Sequence, residues 1–397
     1  MVAPSYDMVL SNCRMDDGKI VNIGIVEGNI KAVEASGKMT GKDGLDLENA
    51  LVLPSLTNGH AHLDKTLIGL NWRPHISSTS IKDRVAIERE MRRNDAEGTL
   101  MRAKMLIEQM VCLGTGCLRS HLDIDDETNI ETLEQLLDLR NRYGALIDIQ
   151  FVAFPQSGLV SNNIAQENML QALQSGVDVV GGLDPAGFDN DIDGHLDIVF
   201  GLADRFGKPV DIHLHDQNEP GVRQLHSIAE RTLALGMQNR VCVSHAYVLG
   251  AIQPAVFDEI SDILAKAGVA IMTDGAGANP IPPVKHLQSA GVNIFAGSDN
   301  IRDAWSPYGT GDMLDRARLI GIRSGLVCDE DLRMAFALVT DNARKALRKE
   351  PCRLKTGDPA DLMVVDAQHI PEAVVSNPSR KMVFKSGQLI ARNGELV

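Results

Sequence analysis

The chain has 397 residues, with 39 Lys and Arg against 53 Asp and Glu, for a formal net charge of −14. At 44% hydrophobic and 23% charged residues it reads as an ordinary globular protein, which excludes disordered and fibrous classes. The acidic balance and the absence of any Lys/Arg run argue against nucleic acid as a partner, and no apolar run reaches bilayer length, so no membrane partner is expected. The opening MVAPSYDMVLSNCRMDDGK has neither a basic region nor a long apolar one, and six scattered cysteines contain no CxxC, so the expectation is a cytoplasmic protein without a disulfide framework.

The first 55 residues or so break into short apolar segments at Gly, Asp and Asn, the pattern of strands and turns, and the stretch from about Thr356 repeats it in DLMVVDA, KMVFKSG and QLIARNGELV. Between these ends, short apolar runs alternate with amphipathic segments. The strands expected are LVLPSLTNG, TGCLRSHLD, ALIDIQFVAF, VDVVGGLDP, KPVDIHLHD, RVCVSHAYV, GVAIMTDG and GVNIFAGSDN. Helices such as GTLMRAKMLIEQMVCLG and HLDIVFGLADRFG fall between them, closed by Gly residues suited to a left-handed cap. Eight parallel strands with crossover helices predict an α/β fold, a (β/α)8 TIM-type barrel over residues 56–349. Residues 1–55 and 350–397 together predict a small composite β-sandwich. The long segment from Lys65 to Gly114 is expected to cover the barrel mouth.

Polar residues collect where these strands end, which in a parallel barrel is one face. His60 and His62 end the first strand, His121 the second, and Asp184 the fourth, with Gln156 just after the third. His213, His215 and Asp216 end the fifth, His245 the sixth, Asp299 and Asn300 the eighth. Residues two apart in a strand share a side, so His60 and His62 can reach one ion, with His213 and Asp299 completing the set. Imidazoles plus a carboxylate suit one divalent ion per chain, zinc first, with iron or manganese accepting the same donors. Gln156 and Asp184 stand where a bridging Lys would be needed for a second ion. His121 reads as a packed or supporting histidine.

GHAHLDK, VAFPQSG, GGLDPAG, VDIHLHD, VSHAYV and AGSDNIRDAWSPYGTGDM, in this order, resemble the amidohydrolase superfamily in its cytosine deaminase branch. Lys65 in HLDK, Asp184 in LDP, and the HxHD of His213 to Asp216 resemble the N-isopropylammelide isopropylaminohydrolases more than cytosine deaminases. The resemblance implies that His60, His62, His213 and Asp299 hold the metal, whose bound water becomes hydroxide. It further implies that Asp299 carries the water's proton to the leaving nitrogen, while His245 hydrogen-bonds the water or the developing oxyanion.

Lys65 and His215 are expected to be catalytic alongside them, His215 as proton shuttle or substrate donor. Gln156, Asp184, Asn300, Trp305 and Asp216 are expected to contact substrate, Gln156 through its paired acceptor and donor and Trp305, or Trp72, by stacking on a flat ring. A buried Lys65 needs a carboxylate partner, and Asp184 is the one expected. The resemblance implies a small amino-substituted nitrogen heterocycle as substrate. Deamination leads, release of an alkylamine from an aminotriazine follows, and a non-catalytic metal-binding homologue is the alternative of another class; homo-oligomerisation is left open.

Overall fold

A computed structural model describes residues 5–35, 37, 39–78, 80–94, 98–128 and 130–397. All eight expected barrel strands form: β1 (Leu56–Ala61), β2 (Thr115–Asp123), β3 (Asp148–Phe154), β4 (Val179–Leu183), β5 (Val210–Leu214), β6 (Val241–His245), β7 (Ala270–Thr273) and β8 (Ile294–Ala296). They lie in sequence order in one parallel sheet, and a bridge between Ala61 and Asp299 joins its first and last strands. That closure needs close backbone approach. A Cβ on Gly297 would stand 2.4 Å from the His60 Cβ, and one on Gly59 would stand 2.5 Å from the Phe295 ring.

The crossover helices follow the apolar periodicity. Ile192–Phe206 buries Leu196, Val199, Phe200 and Ala203 on one face, starts from an Asp191 side chain that accepts from the Gly194 N–H, and ends at Gly207 with φ 63°. The long segment after β1 contains two helices, α1 (Ile81–Asn94) and α2 (Thr99–Cys112). Among the described residues, no helix is long and apolar enough to cross a membrane.

The terminal strands combine into one nine-stranded sheet, in which Leu51–Pro54 pairs antiparallel with Leu362–Val365. It has its own core, including Leu10, Ile23, Ile30, Leu362 and Phe384. The C-terminal part is not purely β as its texture suggests: Ile370–Ser376 is a helix with Pro in its first turn, capped by the His369 side chain. Lys385 ties this sheet to the barrel, its Nζ lying 2.8 Å from both Asp361 and Asp148.

Candidate active site

At the C-terminal ends of the barrel strands the side chains of His60, His62, His121, His213, His245 and Asp299 meet. Every pair among His60, His62, His213 and Asp299 has potential ligating atoms within 4.8 Å of each other. Asp299 Oδ1 lies 3.4 Å from His60 Nε2 and 3.2 Å from His62 Nε2. His121 belongs to the same cluster, its ring centroid 3.9 Å from that of His60. His60, His62, His213 and His245 are all nearly inaccessible to solvent.

The chemistry of this floor is set by burial. His62, His213 and His245 are held well below the ordinary imidazole pKa, first by desolvation, then by the unfavourable charge interaction each would have with Lys65, His60 and His215 respectively. Neutral imidazoles are the form a metal takes. His60 Nε2, His62 Nδ1 and both ring nitrogens of His213 and His245 have no hydrogen-bond partner among the described residues. Buried polar atoms without partners carry a desolvation cost that a ligand would relieve, so the donor set fits a divalent ion. Burial works against the Asp299 charge, yet contacts with His60 and His62 outweigh it and hold the carboxyl well below its ordinary range. Asp299 and His245 also sit in the left-handed backbone region, at φ 55° and 71°, a strained state that clusters at functional sites.

Above this floor opens a cavity of about 1040 Å³, lined among others by Lys65, Phe154, Gln156, His215, Tyr247 and Trp305. A family model described as "Amidohydrolase family" matches residues 114–391. The chain belongs to the amidohydrolase family. As such it is a hydrolase acting on carbon–nitrogen bonds. The matched stretch begins after His60 and His62, but full-length relatives cover those too. The chain is 30% identical to the N-isopropylammelide isopropyl amidohydrolase of Pseudomonas sp. (strain ADP) over all of both chains. It superposes on the crystal structure of N-isopropylammelide isopropylaminohydrolase from Burkholderia multivorans with a TM-score of 0.94 and 35% identity, covering 98% of this chain and 99% of that one. The 5-methylcytosine deaminase of Klebsiella pneumoniae, liganded with phosphonocytosine, gives a TM-score of 0.86 and 26% identity, covering 97% and 98%.

In this amidohydrolase the expected Lys65–Asp184 pair does not form. Lys65 Nζ lies 2.9 Å from Asp123 Oδ1 and 3.3 Å from Glu88, and donates to Gln156 Oε1. Burial opposes its charge, but Asp123, Glu88 and Asp64 prevail and hold the ammonium above its ordinary pKa. Asp184 instead receives His215, Nδ1 to Oδ2 at 2.8 Å and the backbone N–H at 2.6 Å. Strand adjacency is the reason: Lys65 follows β1 beside the end of β2, whereas Asp184 follows β4 beside the end of β5. Burial opposes the His215 charge too, yet Asp184 raises its pKa overall.

Other residues expected against substrate stand differently. Neither Asp184 nor Asp216 lines the cavity; Asp216 holds the Gly187 N–H at 2.8 Å and Gln224 at 2.9 Å. Asn300 lines it but gives its amide to Asp303 at 2.7 Å. Trp305 forms wall and donates its indole N–H to Glu88, while Trp72 is 68% exposed and belongs to a separate crevice. Three contributors escaped sequence reasoning. Glu88, buried on α1, accepts from Lys65, Gln156 and Trp305, and only its place beside Val85 on the buried helix face could have flagged it. Asp123 and Asp274 were accessible to the strand-end rule, since they end β2 and follow β7. Burial and Asp299 push the Asp274 carboxyl up to about 6.

Proposed function

We propose that this protein hydrolyses the exocyclic carbon–nitrogen bond of an amino-substituted nitrogen heterocycle, using one divalent ion. The observation that carries this reading is the cluster of neutral imidazoles with unpartnered ring nitrogens around Asp299, at the base of a cavity roomy enough for a ring and its substituents. His60, His62, His213 and Asp299 would hold the ion, with zinc the expected metal and iron or manganese compatible with the same donors. When bound, such an ion supplies Lewis acidity and lowers the pKa of a coordinated water toward neutrality.

The protein's own groups then act in sequence. Asp299 takes a proton from the attacking water at its carboxylate and delivers it to the leaving nitrogen. His245 donates a hydrogen bond to the oxygen as the ring carbon becomes tetrahedral. His215, fixed from behind by Asp184 and stacked 4.5 Å from His245, contacts the ring. Gln156 retains a free N–H and lone pair after serving Glu88 and Lys65, enough to read the N–H and C=O edge of a cyclic amide. Trp305 covers the ring face. Lys65 spends its three protons on Asp123, Glu88 and Gln156, so it supports the site and does not act on the reacting atoms.

Deamination with release of ammonia is the leading version. Release of an alkylamine is the second reading, supported by the full-length likeness to the two isopropylammelide enzymes. Metal-loaded protein should be offered aminated pyrimidines, pterins and aminotriazines, with ammonia and alkylamine measured separately. Turnover that disappears on chelation and returns with the metal supports the proposal. A folded, metal-loaded protein that releases neither product from any class rejects it in favour of a non-catalytic metal binder.

A further inference from the structure

Beneath the histidine cluster a chain of buried polar groups runs from β2 to His60. Arg119 Nη1 donates to Asp211 Oδ2 at 2.8 Å. The Ser244 hydroxyl donates to the other oxygen, Asp211 Oδ1, at 2.8 Å. Ser244 Oγ also lies 2.9 Å from His60 Nδ1. Arg119 is 1% exposed, and Asp211, Ser244 and His60 are fully buried. The remaining guanidinium protons go to Gln150 Oε1 at 3.2 Å, the Ala346 carbonyl at 3.2 Å and the neutral Cys242 thiol at 3.4 Å, so among the described residues Asp211 is the one carboxylate that guanidinium meets.

Counting protons fixes the direction of this chain. A carboxylate paired with a buried guanidinium is ionised and accepts only. The single Ser244 proton is therefore spent on Asp211, and Ser244 Oγ can meet His60 only as an acceptor. The His60 proton must then sit on Nδ1, which leaves the lone pair on Nε2. That is the atom 3.4 Å from Asp299 Oδ1, and it has no hydrogen-bond partner among the described residues. His62 Nδ1 and both nitrogens of His213 lack any such support.

We propose that Arg119, Asp211 and Ser244 are positioning residues that lock His60 as its Nδ1–H tautomer, and so set how tightly the ion is held. The affinity half of this rests on the metal reading above; the tautomer half does not. Groups behind a ligating histidine commonly account for 10- to 100-fold in metal affinity.

The test uses full-length protein labelled with ¹⁵N-histidine, with His60 assigned by comparison with His60→Asn. In metal-free wild type, long-range ¹H–¹⁵N spectra should show His60 protonated at Nδ1; an Nε2–H form overturns the proposal without needing any variant. Ser244→Ala should lose this preference and bind zinc about 10- to 100-fold more weakly in competition with a chromophoric chelator, while Ser244→Thr, which keeps the hydroxyl, should restore both. Unchanged zinc affinity in a folded Ser244→Ala overturns the relay and leaves the metal reading standing. Wild type that binds no divalent ion overturns the metal reading and the affinity half, and the tautomer measurement still judges the relay itself.

Discussion

The floor and the rim of the cavity are both dense with charge and both buried, yet they are built on opposite principles. At the floor, buried ring nitrogens of His60, His62, His213 and His245 have no hydrogen-bond partner among the described residues. At the rim, Lys65, Glu88, Gln156 and Trp305 share their protons among themselves and with Asp123. A floor of unpartnered donors gains from an added ligand and loses little fold stability when one is removed. A closed network behaves the other way, because deleting one member strands the others in a low-dielectric interior. Floor substitutions should therefore cost function, and rim substitutions should cost stability first.

The largest effect expected is at the floor. His62→Ala should lose both its metal and its turnover, while the metal-free melting temperature stays close to that of metal-free wild type. Elemental analysis and calorimetry together check this; a large fall in the metal-free melting temperature would erase the distinction between the two regions.

At the rim, Lys65→Met leaves Glu88 without the cation it binds and Asp123 with Arg92 alone, at 3.1 Å, and should destabilise the fold by roughly 3 to 5 kcal/mol in denaturant unfolding. Adding Glu88→Gln should recover part of that loss. By contrast, Lys65→Met and Asp184→Asn should add to within about 0.5 kcal/mol, since the two groups do not share partners. Strong coupling between Lys65 and Asp184 would restore the pairing that charge alone suggests.

His245→Asn sharpens the comparison within the floor. Its maximal rate should fall by about two orders of magnitude, or about 2.7 kcal/mol of barrier, with metal content kept. Loss of metal in this variant would move His245 from the reaction to the ligand set.

The smallest effect concerns the outer clasp of α1, where Arg93 and Arg89 grip Glu127 and hold its carboxyl down to about 2. A depressed folded-state pKa contributes stability above the unfolded value of about 4.3 that is lost as pH falls toward 2. Solvent screens this exposed contact, so the change should be local. Protection of the α1 amides, measured against the intrinsic exchange rate at each pH, should fall over that acid range, and Glu127→Gln should show the lower protection already at neutral pH.

Much of this protein was legible in the chain itself. Strand ends of a parallel barrel converge by geometry, and two-residue spacing puts His60 beside His62, so a linear reading could gather His60, His62, His213, His245 and Asp299. Partner choice was not legible. Opposite charge made Asp184 a candidate for Lys65, but side chains at strand ends meet those of adjacent strands, and adjacency gave Lys65 to Asp123 and Asp184 to His215. Glu88 arrives from a helix in a connecting segment, where no periodic rule aims a side chain at the barrel mouth, and the Arg119–Asp211–Ser244 chain exists only once the barrel closes. Local pattern determines which residues face a shared centre; which of them exchange protons depends on distances of a few tenths of an ångström, and packing of the whole barrel sets those.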